Sequence, residues 1–154
     1  QRGVSGIDGV VSAAAGVASC VEGPTTLVIG DVSFLHDLNG LQLAADVEGP
    51  LVLVVINNGG GRIFEQLPIA HDGDESWLPF FTTPHDADLA SAAAIHGCEH
   101  RGARTIAELR RALEEAYAGR GCTVVEAIVP PKSALEQGLE LRNRVQQALA
   151  RKAP

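Results

Sequence analysis

Residues 30–61 read GDVSFLHDLNGLQLAADVEGPLVLVVINNGGG, and this stretch decides the fold class. It follows one apolar run, residues 25–29, and contains a second, residues 51–56. Neither run alternates apolar with polar residues, which is typical of strands buried on both faces of a parallel sheet. The segment between the runs is long enough for a right-handed helical crossover. The sequence therefore predicts two neighbouring parallel strands joined by a helix.

Polar residues follow both runs at the point where each predicted strand ends. Asp31 comes directly after the first run, and Asn57 and Asn58 follow the second, with three glycines behind them. Parallel neighbours lie about 4.8 Å apart and leave the sheet at one edge, so oxygens from both ends can reach one ion. Carboxylate, amide and backbone oxygens suit Mg²⁺. The alternative is that Asp31 only caps the crossover helix and that the asparagines only form a turn. The spacing of the two segments taken together favours a metal–diphosphate site.

The composition argues against several classes of protein. The 154 residues carry a formal net charge of −7, so neither nucleic acid nor an anionic membrane is expected as a partner. No apolar run approaches the roughly 18 residues of a membrane span. Three widely separated cysteines predict reduced thiols and a cytoplasmic location rather than a disulfide framework. The chain lacks methionine and begins at Gln1, so we expect a fragment or a cleaved product.

The rest of the chain predicts helices and a third strand around this unit. Helices are expected from Val10 to near Glu22 and over residues 62–67, 88–96, 105–117 and 133–152, and a strand over residues 122–129. Residues 70–88 predict a long irregular segment, either a lid or a surface loop pinned by its aromatic residues. This order of elements predicts an α/β fold, a parallel sheet flanked by helices.

Apolar residues at helical spacing predict which side of two helices is buried. In the helix over residues 105–117 they are Ile106, Leu109, Leu113 and Tyr117, and in the C-terminal helix they are Leu135, Leu139, Val145 and Leu149. The first of these helices opens with Thr105 and Glu108, which is the spacing of a capping box.

Two other constellations could carry chemistry. His96, Cys98 and His100 alternate, so on a strand they would face one side and, with His85, could hold zinc. Two-residue spacing is unusual for zinc ligands, which makes this alternative weaker than the magnesium site. A serine hydrolase is disfavoured because the chain has no nucleophile elbow; Ser5 stands between valine and glycine without a strand before it.

Several segments together resemble a known family of enzymes. Asp31 followed after 25 residues by Asn57-Asn58 is similar to the signature of thiamine-diphosphate enzymes. Val32-Ser33 in place of the usual glycine resembles one family in particular, the 2-succinyl-5-enolpyruvyl-6-hydroxy-3-cyclohexene-1-carboxylate synthases of menaquinone biosynthesis. The matching segments are RGVSGIDG at residues 2–9, GDVS at 30–33, HDLN at 36–39, and NNGGGRIF at 57–64 with Leu67-Pro68. The resemblance is dense over residues 2–68 and diffuse afterwards.

The resemblance implies a cofactor and a set of site residues. Asp31 and Asn58 would bind Mg²⁺ or Mn²⁺ through their side chains and Gly60 through its carbonyl, with Ser33 beside the diphosphate of thiamine diphosphate. The implied cofactor-binding residues are Ser5, Gly6, Ile7, Gly30, Asp31, Val32, Ser33, Asn58, Gly60, Gly61, Ile63 and Phe64. Gly59 departs from the family, where a third asparagine is common, and we expect the departure to be tolerated.

The resemblance also implies catalytic roles. Ile7 would hold the cofactor in its bent conformation, and Arg2 would bind a substrate carboxylate. Phe64 and Leu67 fall three apart on a short helix and would form an apolar wall over the thiazolium and substrate. By residue type alone, Ile7, Phe64 and Leu67 would equally suit ordinary core packing.

The implied reaction is decarboxylation of 2-oxoglutarate followed by 1,4-addition to isochorismate, with the cofactor as electron sink. In the family, a glutamate from another domain of a partner chain activates the cofactor, which implies a homodimer or homotetramer. Residues 1–154 would then be a single C-terminal thiamine-diphosphate- and metal-binding domain of a larger multidomain chain, inactive alone. The alternatives are an acetohydroxyacid synthase or 2-oxoacid decarboxylase of the same cofactor class, and a non-catalytic α/β nucleotide-binding module.

Overall fold

The structure is a computed structural model, and it describes residues 6–67, 76–131 and 133–150, with side chains from residue 136 in the last range. Its elements in chain order are α1 (Val10–Ala18), β1 (Thr25–Gly30), α2 (Asp31–His36), α3 (Gly40–Ala45), β2 (Pro50–Asn57), a 3₁₀ helix (Arg62–Gln66), α4 (Leu78–Thr82), α5 (Leu89–Ile95), β3 (Glu99–Ala103), α6 (Ile106–Ala118), β4 (Gly121–Ile128) and α7 (Ser133–Ala150). No helix within these ranges is long and apolar enough to cross a membrane.

The described strands form one parallel sheet in the order β1-β2-β4-β3. This confirms the predicted α/β fold and the pairing of the first two strands. The crossover between them is two short helices, α2 and α3, rather than one. β3 is not predicted by the sequence, because the strand is short and polar and pairs only with β4 among the described strands.

Helices cover the two faces of the sheet unequally. On one face, α1, α2, α3 and α5 pack on side chains of β2 and β4, including Leu51, Leu53 and Val124, which are fully buried. Each such side chain contributes roughly 1.5–3 kcal/mol on burial. On the other face, α6 packs on Val52 and Val125. The centre of the sheet, beneath the expected site, is therefore its best-packed part.

The prediction that β1 is buried on both faces is wrong. Val28 is 66% exposed, whereas Ile29, which points to the opposite face, is buried. β1 is the outermost described strand next to β2, and α6 lies over β2, β3 and β4 instead. An apolar run thus shows that a strand belongs to a sheet, but it does not show which faces the neighbouring helices cover.

The predicted buried side of α6 is only partly correct. Ile106 is 75% exposed and Tyr117 is also exposed, and the buried residues of the helix are Ala112 and Ala116. Small side chains let the helix lie close to the sheet, and the hydroxyl groups of Tyr117 and Thr26 share a hydrogen bond of 2.8 Å. The capping box of Thr105 and Glu108 is confirmed.

The predicted buried side of α7 is wrong for the side chains that the structure describes. Leu139, Val145 and Leu149 are all exposed, and α7 contacts the 3₁₀ helix of residues 62–66. Leu135 lies among the side chains outside the described set. Amphipathic spacing correctly predicted a helix here, but spacing cannot show whether a partner surface is present.

One motif that carries the family resemblance, residues 36–39, joins α1 to the crossover. Asp37 accepts hydrogen bonds from the backbone nitrogen of Ser12 at 2.9 Å and from its hydroxyl group at 3.2 Å. Gly40 follows directly, and a Cβ atom there would lie 2.8 Å from the Ser12 nitrogen. The helix α1 therefore packs tightly against the start of α3, and this contact fixes the chain that leads from Ile7 into the sheet.

Candidate functional site

The candidate site lies at the carboxyl edge of the sheet, where β1 and β2 end. In the parallel register Gly30 is opposite Ile56, so Asp31 and Asn57 leave the sheet side by side. Both strands are held by the core described above, so the two chain ends have a rigid base. The structure thus brings together the two polar segments that the sequence predicted to meet.

Asp31 is the centre of this arrangement. Its side chain is almost completely buried, with 2% of the residue exposed. Oδ2 accepts hydrogen bonds from the backbone nitrogens of Gly60 at 2.9 Å and Asn58 at 3.2 Å, and Oδ1 accepts one from Val32 at 2.8 Å. A buried carboxylate is tolerated when several donors satisfy it. The loop after β2 is therefore wrapped around the carboxylate at the end of β1.

Gly60 fits this loop because it has no side chain. Its φ is +137°, and a Cβ atom would lie only 2.4 Å from the Thr82 carbonyl oxygen. The same oxygen accepts a hydrogen bond from the Gly61 nitrogen at 2.7 Å. The end of α4 is consequently pressed against the loop, which leaves room for backbone only.

Gly59 has a different environment. Its φ is +72°, but no atom lies closer than 3.9 Å to a Cβ built at this position. The left-handed conformation favours glycine, and asparagine is the side chain that adopts it most readily. The third asparagine that is common in the family would therefore fit here, in agreement with the expectation that this departure is tolerated.

His85 reaches the site from the segment after α4. Its Nε2 lies 3.2 Å from Oδ2 of Asp31, a distance at which the two groups attract, but their orientation does not make a hydrogen bond. Its Nδ1 accepts a hydrogen bond from the Ala87 nitrogen at 3.3 Å. The sequence analysis named His85 only as a zinc candidate, because nothing in the local pattern links it to Asp31.

Arg62 is a second residue of this site that the sequence analysis missed. Its guanidinium group forms an ion pair with Glu65 at 2.7 Å. It also donates to the carbonyl oxygens of Asn58 and Gly59, each at 3.4 Å. The available signals were its position directly after the glycines and its place in the family-matching segment of residues 57–64, and neither assigns it a contact. Arg62 therefore holds the outer side of the loop, while Asp31 holds the inner side.

A cavity of about 200 Å³ opens beside Asp31. Predicted site residues make up most of its lining, which consists of Gly30, Asp31, Val32, Ser33, Ile56, Asn58, Gly60, Gly61, Arg62 and Ile63. The structure thus brings eight of the predicted cofactor-binding residues to one cavity, and it adds Ile56 and Arg62.

The other predicted residues lie elsewhere or outside the described chain. Phe64 stacks edge-on against Phe81, with ring centroids 5.6 Å apart, and Ile7 and Leu67 are exposed. None of these three lines the cavity, and neither does Gly6. Arg2 and Ser5 lie outside the described residues. The roles assigned to all of them remain predictions.

The residues at the cavity fit a divalent metal with a diphosphate. The donor set is a buried carboxylate, an asparagine amide and a glycine carbonyl, which are hard oxygen ligands that Mg²⁺ prefers. Gly30 lines the same cavity, and no atom lies within 4 Å of a Cβ built there, so the backbone at the end of β1 is open to a ligand. Within the described ranges, no group of three or more histidine, cysteine, aspartate or glutamate side chains could hold a metal ion. A metal here therefore depends on amide and backbone oxygens.

The alternative zinc constellation does not assemble in the described part of the chain. His100 pairs with Glu126, their Nε2 and Oε2 atoms being 2.9 Å apart. Cys98 is buried next to Cys122, whereas His85 lies beside Asp31. The hydrogen bond with Cys98, together with burial, raises the pKa of the Cys122 thiol.

The buried thiols are expected to resist alkylation. With iodoacetamide at pH 8, Cys98 and Cys122 should be modified about tenfold or more slowly in the native protein than in denaturant, because burial keeps the reagent away from both sulfur atoms and the pKa of the Cys122 thiol is raised. Peptide mass spectrometry measures this, with the exposed Cys20 as the internal control. Equal labelling in the native and denatured protein, or stoichiometric zinc in the purified protein, would contradict this arrangement.

Comparison with known proteins identifies the domain. Residues 3–127 match the family described as "Thiamine pyrophosphate enzyme, C-terminal TPP binding domain". The chain belongs to this family. Thiamine pyrophosphate is another name for thiamine diphosphate, so the cofactor class expected from the sequence agrees with the family. The metal and the individual ligands are not part of this match.

Curated relatives bear the name of the family that the sequence resembles. A 2-succinyl-5-enolpyruvyl-6-hydroxy-3-cyclohexene-1-carboxylate synthase of Sorangium cellulosum is 48% identical over 154 residues, covering 97% of this chain and 25% of the relative. A synthase of the same name from Prosthecochloris aestuarii is 40% identical, again over 97% of this chain and 25% of the relative. These relatives confirm the resemblance to this family. The chain spans about a quarter of the length of the curated relatives it matches.

Solved structures support the fold. The benzoylformate decarboxylase of Polynucleobacter necessarius superposes with a TM-score of 0.69 at 21% identity, covering 79% of this chain and 23% of that one. The thiamine diphosphate-dependent 4-hydroxybenzoylformate decarboxylase of Rhodococcus jostii RHA1 gives a TM-score of 0.65 at 24% identity, covering 77% and 22%. At these identities the likeness concerns the fold alone.

Proposed function

We propose that this chain is the diphosphate-binding domain of a thiamine-diphosphate-dependent 2-succinyl-5-enolpyruvyl-6-hydroxy-3-cyclohexene-1-carboxylate synthase. The observation that carries the proposal is the buried Asp31 at the edge of the sheet, with the loop of residues 57–60 closed around it by two backbone hydrogen bonds. The shared name of the curated relatives supports this choice of reaction.

In this proposal, Asp31, Asn58 and Gly60 would hold Mg²⁺ or Mn²⁺, which would neutralise charge on the cofactor's diphosphate. Ser33 and the backbone of Gly30 and Gly61 line the same cavity and would contact the diphosphate. When bound, thiamine diphosphate supplies an electron sink for the carbanion chemistry. The domain's own task is to hold the cofactor rigidly and to neutralise its negative charge, since electrostatic preorganisation needs fixed groups.

The proposed substrates are 2-oxoglutarate and isochorismate. 2-Oxoglutarate loses its C1 carboxylate as CO₂, the carbon left with the electron pair forms a new bond to isochorismate by 1,4-addition, and the isochorismate carbon next to the carboxylate takes up a proton. In this scheme Arg2 binds a substrate carboxylate, Ile7 holds the cofactor in its bent conformation, and Phe64 and Leu67 form an apolar wall that excludes water from the reacting carbon. The edge-on contact with Phe81 gives Phe64 a fixed orientation.

The proposal also concerns the rest of the protein. Residues 1–154 act as the C-terminal domain of a longer chain, in agreement with their coverage of 25% of the Sorangium relative. The glutamate that activates the cofactor comes from the N-terminal domain of a partner chain in a homodimer or homotetramer. The complete enzyme works in the cytoplasm on small molecules, without nucleic acid or membrane.

The test uses the full-length protein that contains this domain. With Mg²⁺ and thiamine diphosphate, we expect it to consume 2-oxoglutarate and isochorismate together, with CO₂ release and a product detected by mass spectrometry whose mass is the sum of the two substrates minus CO₂. Pyruvate and benzoylformate serve as control substrates and should give no more than about 1% of this rate, because binding sites built for a second carboxylate reject substrates that lack it. Calorimetry with thiamine diphosphate should show binding in Mg²⁺ and none in excess EDTA.

Three outcomes would contradict the proposal. Absence of cofactor binding would remove the whole cofactor class. Cofactor binding with turnover of pyruvate or benzoylformate alone would assign another reaction of that class. Turnover by purified residues 1–154 would show that no activating glutamate from another domain is required.

A further inference from the structure

A buried carboxylate lies one strand away from the candidate site. Glu126 is the one charged residue of β4, and it sits opposite Val55 near the carboxyl end of the sheet, with 8% of its surface exposed. A valine or leucine would fill this position at no cost, whereas burying a carboxylate is unfavourable unless hydrogen bonds satisfy it. Its partners therefore indicate why a glutamate is present.

Both oxygens of Glu126 have partners, and these come from the two neighbouring strands. Oε1 accepts a hydrogen bond from Nδ2 of Asn57 at 2.6 Å. Oε2 lies 2.9 Å from Nε2 of His100 on β3, within hydrogen-bond distance. Glu126 thus joins the edge strand β3 to the end of β2 at the level where the sheet meets the site.

Asn57 connects Glu126 to the loop that surrounds Asp31. Its Nδ2 is committed to Glu126, so its Oδ1 faces the opposite way and accepts from the Gly59 nitrogen at 3.0 Å. This hydrogen bond folds the side chain over its own loop, a turn that asparagine readily forms. The neighbouring nitrogens of Asn58 and Gly60 then point at Asp31. The orientation of one amide therefore sets the path of the whole loop.

We propose that Glu126, supported by His100, is a positioning residue that holds Asn57 in the orientation required for the metal–diphosphate loop of residues 57–60. This inference rests on the proposed function, because it assumes that the loop of residues 57–60 binds the metal and the diphosphate. Glu126 does not touch the metal or the cofactor and acts only through Asn57. Without the hydrogen bond to Glu126, the Asn57 amide has no single preferred orientation. The loop then loses its preorganisation for metal and diphosphate.

The test reverses the polarity of the hydrogen bond between residues 57 and 126 in the full-length protein. Asn57→Asp places two carboxylates 2.6 Å apart, so they repel and the loop opens. We expect the dissociation constant for thiamine diphosphate in Mg²⁺, measured by calorimetry, to rise about 10- to 100-fold. In the double variant Asn57→Asp/Glu126→Gln, the glutamine amide donates to the new aspartate, whose other oxygen still accepts from Gly59. Affinity should return to within about threefold of the unaltered protein.

The double variant also separates positioning from simple charge. It retains the negative charge at residue 57, so a charge effect on metal or phosphate would persist in it, whereas a positioning effect is rescued. Glu126→Gln alone should bind within about threefold, because its oxygen can accept from Asn57 while its amide faces His100. Val125→Ala, which truncates a fully buried neighbour, should lower the unfolding temperature while leaving the dissociation constant within about twofold.

The binding measurements distinguish failure of the positioning role of Glu126 from failure of the proposed function. A double variant that binds as weakly as Asn57→Asp, or an Asn57→Asp protein that binds normally, overturns the positioning role and leaves the proposed function intact. A Val125→Ala protein with equally weakened binding overturns it as well, since any loss of stability would then suffice. Failure of the unaltered full-length protein to bind thiamine diphosphate overturns the proposed function and this inference together.

Discussion

Asp31→Ala is expected to abolish metal-dependent binding of thiamine diphosphate by the full-length protein. The substitution removes the one carboxylate at the cavity and leaves the nitrogens of Asn58 and Gly60 without their acceptor. Each buried donor left unsatisfied costs about 1–3 kcal/mol, so the loop should also lose its fixed path. Calorimetry in Mg²⁺ should show a dissociation constant at least about 100-fold higher, and chemical denaturation should show reduced stability.

A matched pair of variants separates the two effects of Asp31. Asp31→Asn keeps one carbonyl oxygen for the loop nitrogens but removes the charge, so it should retain more stability than the alanine variant while still binding the metal poorly. Asp88→Ala is the control, because Asp88 also accepts from two backbone nitrogens, those of Ala90 and Ser91, but at the exposed start of α5. Asp88→Ala should leave cofactor affinity unchanged. Normal affinity in Asp31→Ala would refute the metal site.

The sequence was sufficient for the part of the site that depends on two consecutive strands. Asp31 and Asn57 follow apolar runs, and parallel strands that are joined by one crossover usually lie next to each other. Their side chains must then meet at one edge, whatever the remainder of the fold. The cavity lined by Asp31, Ser33 and Asn58 is the direct consequence, since the glycines between strand and helix leave open space there.

The sequence was insufficient where the partner lies far along the chain. His85 is 54 residues from Asp31, and Glu126 is 69 residues from Asn57. Neither pair has a local signature, because the pairing depends on strand order and on where α4 ends. The order β1-β2-β4-β3 itself includes a strand, Glu99–Ala103, whose polar sequence gives no apolar signal. Glu126 is nevertheless recognisable in the sequence as a single charged residue within an apolar strand. A charged residue in such a position is expected to be buried and to have a polar partner.

The predictions of which faces are buried were wrong for a related reason. Val28 on β1 and Val145 on α7 belong to apolar patterns that predict burial, yet both are exposed in the described structure. A pattern records which side of an element is suited to burial, whereas the contact requires a second surface at the right distance. For α6 the surface is present, but alanines rather than Ile106 and Tyr117 make the closest approach. Small residues carry little weight in an apolar pattern, although they permit the tightest packing.

Gly60→Ala is expected to have the second largest effect on the site. The added methyl group would lie 2.4 Å from the Thr82 carbonyl oxygen, and the φ of +137° is one that L-residues rarely adopt. The obstacle is backbone, so either α4 or the loop must move, and either movement breaks a hydrogen bond to Asp31 or to Thr82. We expect a loss of about 2–4 kcal/mol in the free energy of unfolding and at least about a tenfold rise in the dissociation constant for thiamine diphosphate.

Gly59→Asn is the matched substitution one residue away, and it adds a much larger side chain. It should nevertheless change the free energy of unfolding by less than about 1 kcal/mol and leave the dissociation constant within about threefold, because its φ of +72° suits asparagine and its Cβ has space. Urea denaturation and calorimetry on the two full-length variants measure the contrast. Equal effects from both would mean that the loop requires glycine for flexibility alone. The expected inequality would instead show that Gly60 is needed because the loop is pressed between Asp31 and the end of α4.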